Sequence, residues 1–120
     1  MAITKVLVVD DSSADLLNLQ QIIEGAGYKT VTARSGKEAV ETARSQKPDV
    51  IFLDIIMDEM DGFEACRRLS KDESTKSIPV VFVTSKNQKA DRVWAEMQGA
   101  KAFITKPYSQ DAIIQQLSAM

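Results

Sequence analysis

The most regular feature of the sequence is a series of five short apolar runs separated by longer segments of mixed character. Four of these runs are apolar at nearly every position, which is typical of strands buried on both faces of a parallel sheet. The second run alternates apolar and polar residues, as expected for a strand near a sheet edge. The predicted strands are residues 6–9, 29–33, 50–53, 80–83 and 102–105.

Each predicted strand is followed by an amphipathic segment that has a capping residue in front of it. The segments predict five helices, which begin near residues 11–13, 35, 61, 87 and 109 and reach residues 26, 46, 70, 98 and 117. This alternation predicts an α/β fold, a doubly wound five-stranded parallel sheet with helices on both faces. The flavodoxin-like strand order 2-1-3-4-5 places the first and third strands side by side. We expect residues 1–120 to form one domain, with no room for an output domain.

Polar side chains stand directly after four of the predicted strands. Asp10 and Asp11 follow the first strand, Asp54 the third, Thr84 the fourth and Lys106 the fifth. The carboxyl ends of parallel strands meet at one edge of the sheet, where ligands bind in open α/β folds. We therefore expect three carboxylates, one hydroxyl and one ammonium in a single shallow pocket.

Composition and charge narrow the chemistry available to this pocket. The chain has 15 basic and 17 acidic residues and a net charge of −2, which gives no support to nucleic-acid binding by this chain itself. It has no histidine, which excludes Ser-His-Asp and Cys-His catalytic sites and histidine-containing zinc sites. No apolar run approaches the ~20 residues of a membrane span, and the amino-terminal residues lack the pattern of a signal peptide. We expect a cytoplasmic protein that does not associate with membranes.

Three clustered carboxylates require a counter-ion, because two like charges about 4 Å apart repel by about 4 kcal/mol at an effective dielectric constant near 20. Oxygen ligands in an open site suit Mg²⁺, and Lys106 supplies a second positive charge. Phosphoryl transfer needs an in-line nucleophile and positive charge around the phosphoryl oxygens. Asp54 as an ionised carboxylate can attack without a general base, and the product would be an acyl phosphate.

With these residues placed, the chain resembles from end to end the receiver domains of two-component response regulators, the CheY-like family. Residues 84–108 resemble in particular the single-domain receivers of twitching motility. The resemblance implies a stand-alone response regulator in a phosphorelay, with a motility or chemotaxis-like output, and a signalling protein rather than an enzyme. The shared marks are the pair Asp10-Asp11, Asp54 followed by Met57 and Asp61-Gly62, Thr84, Gly99-Ala100 and Lys106-Pro107.

The resemblance also implies which residues accept the phosphoryl group and hold the metal. Asp54 is expected to be the phosphoacceptor, with a separate histidine kinase as the donor. Mg²⁺ is expected to bind the carboxylates of Asp10, Asp11 and Asp54. The backbone carbonyl of Ile56 is implied as a further metal ligand.

On the phosphoryl side, the resemblance implies that Thr84 and Lys106 contact the phosphoryl oxygens and that the bond before Pro107 is cis. Phe103 occupies the place of the aromatic switch residue. Because Phe103 has no hydroxyl, we expect the switch to act through packing, with phosphorylation burying its ring. The face formed by the fourth helix, fifth strand and fifth helix is then expected to bind a downstream protein target.

Three residues around the pocket are expected to adjust its properties. Ile56 and Lys86 stand two residues beyond Asp54 and Thr84, at the mouth of the site, and are expected to tune dephosphorylation. The chain departs from the family pattern at Asp58, where proline is usual. This departure adds a carboxylate to the loop beside the metal site and bears on loop rigidity and metal affinity.

The sequence leaves two other roles open on the same fold, a phosphate sink and a phosphorylation-independent protein-binding module. A dehalogenase-type phosphatase is disfavoured, because it needs a second acid two residues after the nucleophile, where this chain has Ser12 or Ile56. A flavodoxin-like FMN carrier is disfavoured because Asp10 and Asp11 would repel the phosphate. We expect a monomer or a weak dimer.

Overall fold

The computed structural model describes residues 2–120, which form five strands alternating with five helices. The longest helix has 13 residues, and none of the helices in the described part of the chain is long and apolar enough to cross a membrane. The strands are β1 (Lys5–Val9), β2 (Lys29–Ala33), β3 (Val50–Leu53), β4 (Val80–Thr84) and β5 (Ala102–Thr105). The helices are α1 (Ser13–Gly25), α2 (Gly36–Gln46), α3 (Gly62–Lys71), α4 (Lys89–Met97) and α5 (Gln110–Ser118).

The five strands form one parallel sheet in the order β2-β1-β3-β4-β5, which confirms the predicted fold. In this order β1 and β3 are neighbours at the centre, and their last residues, Val9 and Leu53, lie opposite each other. On the far side of β3, β4 pairs with β5, and their last residues, Thr84 and Thr105, lie opposite each other. Four strand ends therefore finish at nearly the same level of the sheet.

Two hydrophobic layers cover the two faces of the sheet. Successive residues of a strand point to opposite faces, so that Leu7 and Val9 pack into one layer while Val6 and Val8 pack into the other. The first layer is completed by α2, α3 and α4, and the second by α1 and α5. The strands of the centre are buried on both sides, which explains their uninterrupted apolar sequence.

The predicted helix starts hold at four helices and are wrong at α4. We expected α4 from residue 87, but the helix begins at Lys89, after the N-cap Gln88. The Asp91 carboxylate accepts a hydrogen bond from the Gln88 backbone N–H (3.2 Å), which fixes the first turn two residues later than predicted. The other four helices have side-chain caps at Ser12, Ser35, Asp61 and Ser109.

Candidate functional site

The central strand ends bring Asp10 and Asp54 side by side. The Asp54 backbone N–H donates to the carbonyl of Val9 (3.1 Å), the residue before Asp10, so that the sheet pairing continues one step beyond β1 and β3. Both carboxylate residues are almost fully buried, with 4% of Asp10 and 7% of Asp54 exposed. Two adjacent buried carboxylates are unfavourable without nearby positive charge.

Lys106 provides that positive charge from the end of β5. Its backbone N–H donates to the Thr84 carbonyl (2.7 Å), which fixes the residue beside the end of β4. Its Nζ donates to Oδ2 of Asp10 (2.8 Å) and to Oδ2 of Asp54 (3.1 Å). A third bond goes to Oδ2 of Asp15 in the first turn of α1 (2.9 Å). All three N–H groups of the ammonium are therefore engaged by carboxylates.

The charges of this cluster do not balance. Burial by itself lowers the pKa of Lys106, but the hydrogen bonds to Asp10 and Asp15 and the charge of Asp54 outweigh burial and raise it above its ordinary value. Burial raises the pKa of Asp10, although Lys106 and the Ser12 N–H (3.0 Å) both donate to its carboxylate. One ammonium thus serves three carboxylates, and the cluster keeps an excess of negative charge.

The donors at this edge have the chemistry that a hard divalent cation requires. Carboxylate oxygens with excess negative charge fit Mg²⁺. Asp11, the remaining predicted ligand, is exposed, and its backbone carbonyl accepts a bond from Arg34. Among residues 2–120 no three acidic, histidine or cysteine side chains already surround a metal position. Asp10 and Asp54 instead share the Lys106 ammonium through their Oδ2 atoms, and their Oδ1 atoms accept bonds from backbone N–H groups.

Thr84, Lys86 and Ile56 lie around the cluster without direct bonds from their side chains to its charged groups. Thr84 is fully buried, and its hydroxyl oxygen accepts a long bond from the Lys86 N–H (3.4 Å). The Lys86 ammonium lies 3.9 Å from Asp91 in α4. Ile56 is 51% exposed, and its N–H donates to Oδ1 of Asp54 (3.3 Å). Ile56 and Lys86 thus border the site at two different loops.

Phe103 lies in β5 and not in the acidic cluster. Its ring is half-buried, and its centroid is 6.3 Å from that of Phe82. The Arg92 guanidinium lies over the Phe103 ring, 4.8 Å from its centroid, and also donates to the Thr105 hydroxyl (3.0 Å). Arg92 therefore links α4 to β5 directly across Phe103. The bond between Lys106 and Pro107 is cis.

Sequence reasoning missed Asp15 and did not anticipate how Gly62 packs beside Asp54. Asp15 is the third acceptor of Lys106, and its only sequence signal is its place one turn after the cap that follows Asp10 and Asp11. Gly62 opens α3 against the loop after β3, and a Cβ at this position would collide with the backbone carbonyl oxygen of Asp54. The absence of a side chain at Gly62 lets the helix start close to Asp54.

The loop between β3 and α3 carries the departure from the family pattern. Asp58 is exposed, and the next residue, Glu59, has the left-handed backbone angle φ of 62°. Asp61 caps α3 by accepting a bond from the Glu64 N–H (2.9 Å). The loop therefore turns away from β3 within a few residues and presents Asp58 to solvent.

Known proteins with similar sequences and structures share this arrangement of elements. Residues 6–118 match the response regulator receiver domain family. Protein PilH of Pseudomonas aeruginosa is 39% identical over 116 residues, which cover 97% of this chain and 96% of PilH. The polar-differentiation response regulator DivK of Brucella abortus is 35% identical over 95% of this chain and 93% of DivK. The structure of the chemotaxis protein CheY4 of Vibrio cholerae matches with a TM-score of 0.92 and 29% identity, over 98% of both chains.

The matches cover nearly the whole described chain and agree with its topology. Both sequence relatives are matched over more than nine tenths of their own length. The resemblance drawn from the motifs is confirmed, including the similarity to PilH. The chain belongs to the response regulator receiver domain family, whose members are signalling proteins of two-component systems.

Proposed function

We propose that the chain is a stand-alone receiver that accepts a phosphoryl group on Asp54 from a histidine kinase in a reaction that depends on Mg²⁺. The observation that carries this proposal is the contact of the Lys106 ammonium with both Asp54 and Asp10 at the end of the central strands. Residues 1–120 act as one cytoplasmic receiver, as a monomer or a weak dimer. Its role is to signal, not to turn over a substrate as an enzyme.

In the proposed reaction, a carboxylate oxygen of Asp54 attacks the phosphorus of the phosphohistidine. The bond from phosphorus to the donor imidazole nitrogen breaks, and an acyl phosphate forms on Asp54. Mg²⁺ bound by Asp10, Asp11, Asp54 and the Ile56 carbonyl would neutralise charge on the phosphoryl oxygens. Family membership and the donor set of the site support these assignments.

Lys106 and Thr84 bind the remaining phosphoryl oxygens. The Lys106 ammonium already contacts the Asp54 carboxylate, so a small displacement would bring it to an oxygen of the phosphoryl group attached there. Thr84 is fully buried and is joined to Lys106 through its backbone carbonyl. A rotation of its hydroxyl toward the phosphoryl group would exchange the long bond from Lys86 for a charge-assisted one.

The output is a change in a protein-binding face formed by α4, β5 and α5. Movement of Thr84 makes room beside β4 for the half-buried Phe103 ring, which is tied to α4 through Arg92. α4 offers apolar side chains to a partner, since Val93 and Met97 are about half exposed or more. The Trp94 ring lies on the α3 side of this helix, against Phe63. The partner is a protein in a motility or chemotaxis-like pathway, and binding of nucleic acid or membranes is not part of the role.

Ile56 and Lys86 tune the lifetime of the acyl phosphate. Both border the site, one as an exposed apolar side chain and the other as a cation held near Asp91. We expect the water that attacks the phosphorus to approach past these two side chains. Replacing both with small polar residues should therefore change the rate at which the phosphoryl group is lost, which can be followed by the decay of the phosphorylated protein.

The experiment that tests the proposed function is mass spectrometry after incubation with acetyl phosphate and Mg²⁺. The wild type should gain one phosphoryl group, and both Asp54→Asn and removal of the metal with EDTA should abolish the gain. Asp111→Asn is the matched control, because Asp111 is an exposed acid in the first turn of α5. No gain in the wild type would refute the proposal and favour a phosphorylation-independent binding role.

A further inference from the structure

One of the three hydrogen bonds of the Lys106 ammonium goes to a carboxylate that does not lie at the end of a strand. Asp15 lies in the first turn of α1, and its Oδ2 accepts from Lys106 Nζ at 2.9 Å, nearly as short as the bond to Asp10 at 2.8 Å. The two partners differ in exposure, since 50% of the Asp15 side chain and 16% of the Lys106 side chain are exposed. Asp15 therefore holds Lys106 from the solvent side of the cluster.

This third bond matters when a phosphoryl group is present, a step that rests on the proposed function. A phosphoryl oxygen can gain an N–H from Lys106 only if one carboxylate releases it, because an ammonium has three donors. Asp54 itself carries the phosphoryl group, and Asp10 is a proposed metal ligand. Asp15 has neither role, so its carboxylate remains as a competitor for the ammonium.

Competition for Lys106 and repulsion between negative charges would both weaken the binding of a phosphoryl group beside Asp15. An Asp15 carboxylate that keeps its bond to Lys106 withdraws one donor from the phosphoryl oxygens. The same carboxylate adds a negative charge next to an anionic group. A neutral side chain at position 15 would remove both effects at once.

We propose that Asp15 is a positioning residue that restrains Lys106 and thereby weakens the binding of the phosphoryl group at Asp54. The alternative is that Asp15 only stabilises the start of α1, as acidic residues in a first turn often do. Ser12 already caps this helix by accepting a long bond from the Asp15 N–H (3.4 Å), so the Asp15 side chain is free to serve Lys106. The two roles differ in what a neutral variant would change.

The test measures the dissociation constant of fluoroberyllate, which stands in for the phosphoryl group, by calorimetry at saturating Mg²⁺. Asp15→Asn should bind it more tightly than the wild type by about two- to five-fold, the range of an exposed ion pair. Asp15→Glu keeps the charge and should stay close to the wild type. Asp111→Asn removes an equivalent first-turn charge from α5 and should leave the affinity unchanged.

Each other result contradicts the proposal in a defined way. Equal affinities for wild type and Asp15→Asn, with only the midpoint of thermal unfolding changed, would assign Asp15 to helix stability alone. Weaker binding by Asp15→Asn would mean that Asp15 orients Lys106 toward the phosphoryl group instead of restraining it. An equal gain in fluoroberyllate affinity in Asp111→Asn would mean that the effect comes from the net charge of the protein. Failure of all variants and the wild type to bind would overturn the proposed function itself.

Discussion

The two edges of the sheet carry aspartates in opposite electrostatic situations. At the amino-end edge, Oδ2 of Asp49 accepts from the Thr4 N–H (2.9 Å), the Thr4 hydroxyl (2.9 Å) and the Lys5 N–H (3.0 Å). At the carboxyl-end edge, Asp10 and Asp54 share with Asp15 a single ammonium. One carboxylate that accepts three hydrogen bonds stabilises the fold, whereas three carboxylates that share one positive charge create a demand for a further cation.

The pKa values of the two edges move in opposite directions for different reasons, hydrogen bonding at one edge and burial at the other. The backbone N–H groups of Lys5 and Thr4 hold the pKa of Asp49 below its ordinary value. Burial raises the pKa of Asp10, and the bonds it receives do not compensate. Backbone hydrogen bonds thus govern the carboxylate that stabilises the fold, whereas burial governs the carboxylate that is available for binding chemistry.

The largest effect should come from removing the carboxylate at the amino-end edge. Asp49→Ala leaves three donors of Thr4 and Lys5 without their acceptor, and we expect the free energy of unfolding to fall by about 1–2 kcal/mol. We expect a loss near the lower end of the usual cost of unpaired polar groups, because water reaches part of this edge and can bind the freed donors. Urea unfolding followed by circular dichroism measures it.

The control for this prediction is Asp49→Asn, whose amide oxygen can still accept from the backbone. It should lose clearly less than the alanine variant. If Asp49→Ala unfolded at the same urea concentration as the wild type, the amino-end carboxylate would have no special role in stability and the contrast between the edges would fail.

A somewhat smaller effect should appear when Mg²⁺ is added. A cation that binds only the folded protein stabilises it by about 1.4 kcal/mol at a tenfold excess over its dissociation constant. We expect the midpoint of thermal unfolding to rise with Mg²⁺ in the wild type and in Asp49→Asn, and to respond weakly in Asp10→Asn. Equal responses of the two variants would show that the cation does not use the carboxyl-end cluster.

The fold and the main cluster were accessible from sequence because both follow from repeated local patterns. Uninterrupted apolar runs predict parallel strands, and parallel strand ends coincide in space, so Asp10, Asp54 and Lys106 could be placed at one edge without coordinates. In the structure their side chains join within 3.1 Å. The predicted strand order is confirmed in full.

Features that depend on the direction of one side chain were not accessible. An acid in a first helical turn has the same local sequence whether it faces solvent or a lysine 91 positions away, which is why Asp15 was missed. Asp49 precedes β3 without any pattern that would reveal its bonds to Thr4. The start of α4 was misplaced because Asn87 and Gln88 are both acceptable caps, and only the bond to Asp91 decides between them.

The smallest predicted effect is a difference in pH dependence between the two edges without metal. Asp49 has a lowered pKa, so its stabilising contribution is present above the unfolded value of 3.8 and is lost as the pH falls through its folded value. Asp10 has a raised pKa, so its ionised form costs stability near neutral pH, and that cost disappears as the pH falls through its folded value, which lies above 3.8.

Near pH 7 we therefore expect Asp49→Asn to be less stable than the wild type and Asp10→Asn to be slightly more stable, since the Asp10→Asn variant keeps Lys106 paired with two carboxylates. In EDTA, urea unfolding between about pH 7 and pH 3 should show Asp10→Asn converging with the wild type first and Asp49→Asn only at the acid end. Differences of the same sign, or convergence in the reverse order, would mean that hydrogen bonding at one edge and burial at the other do not govern the two carboxylates.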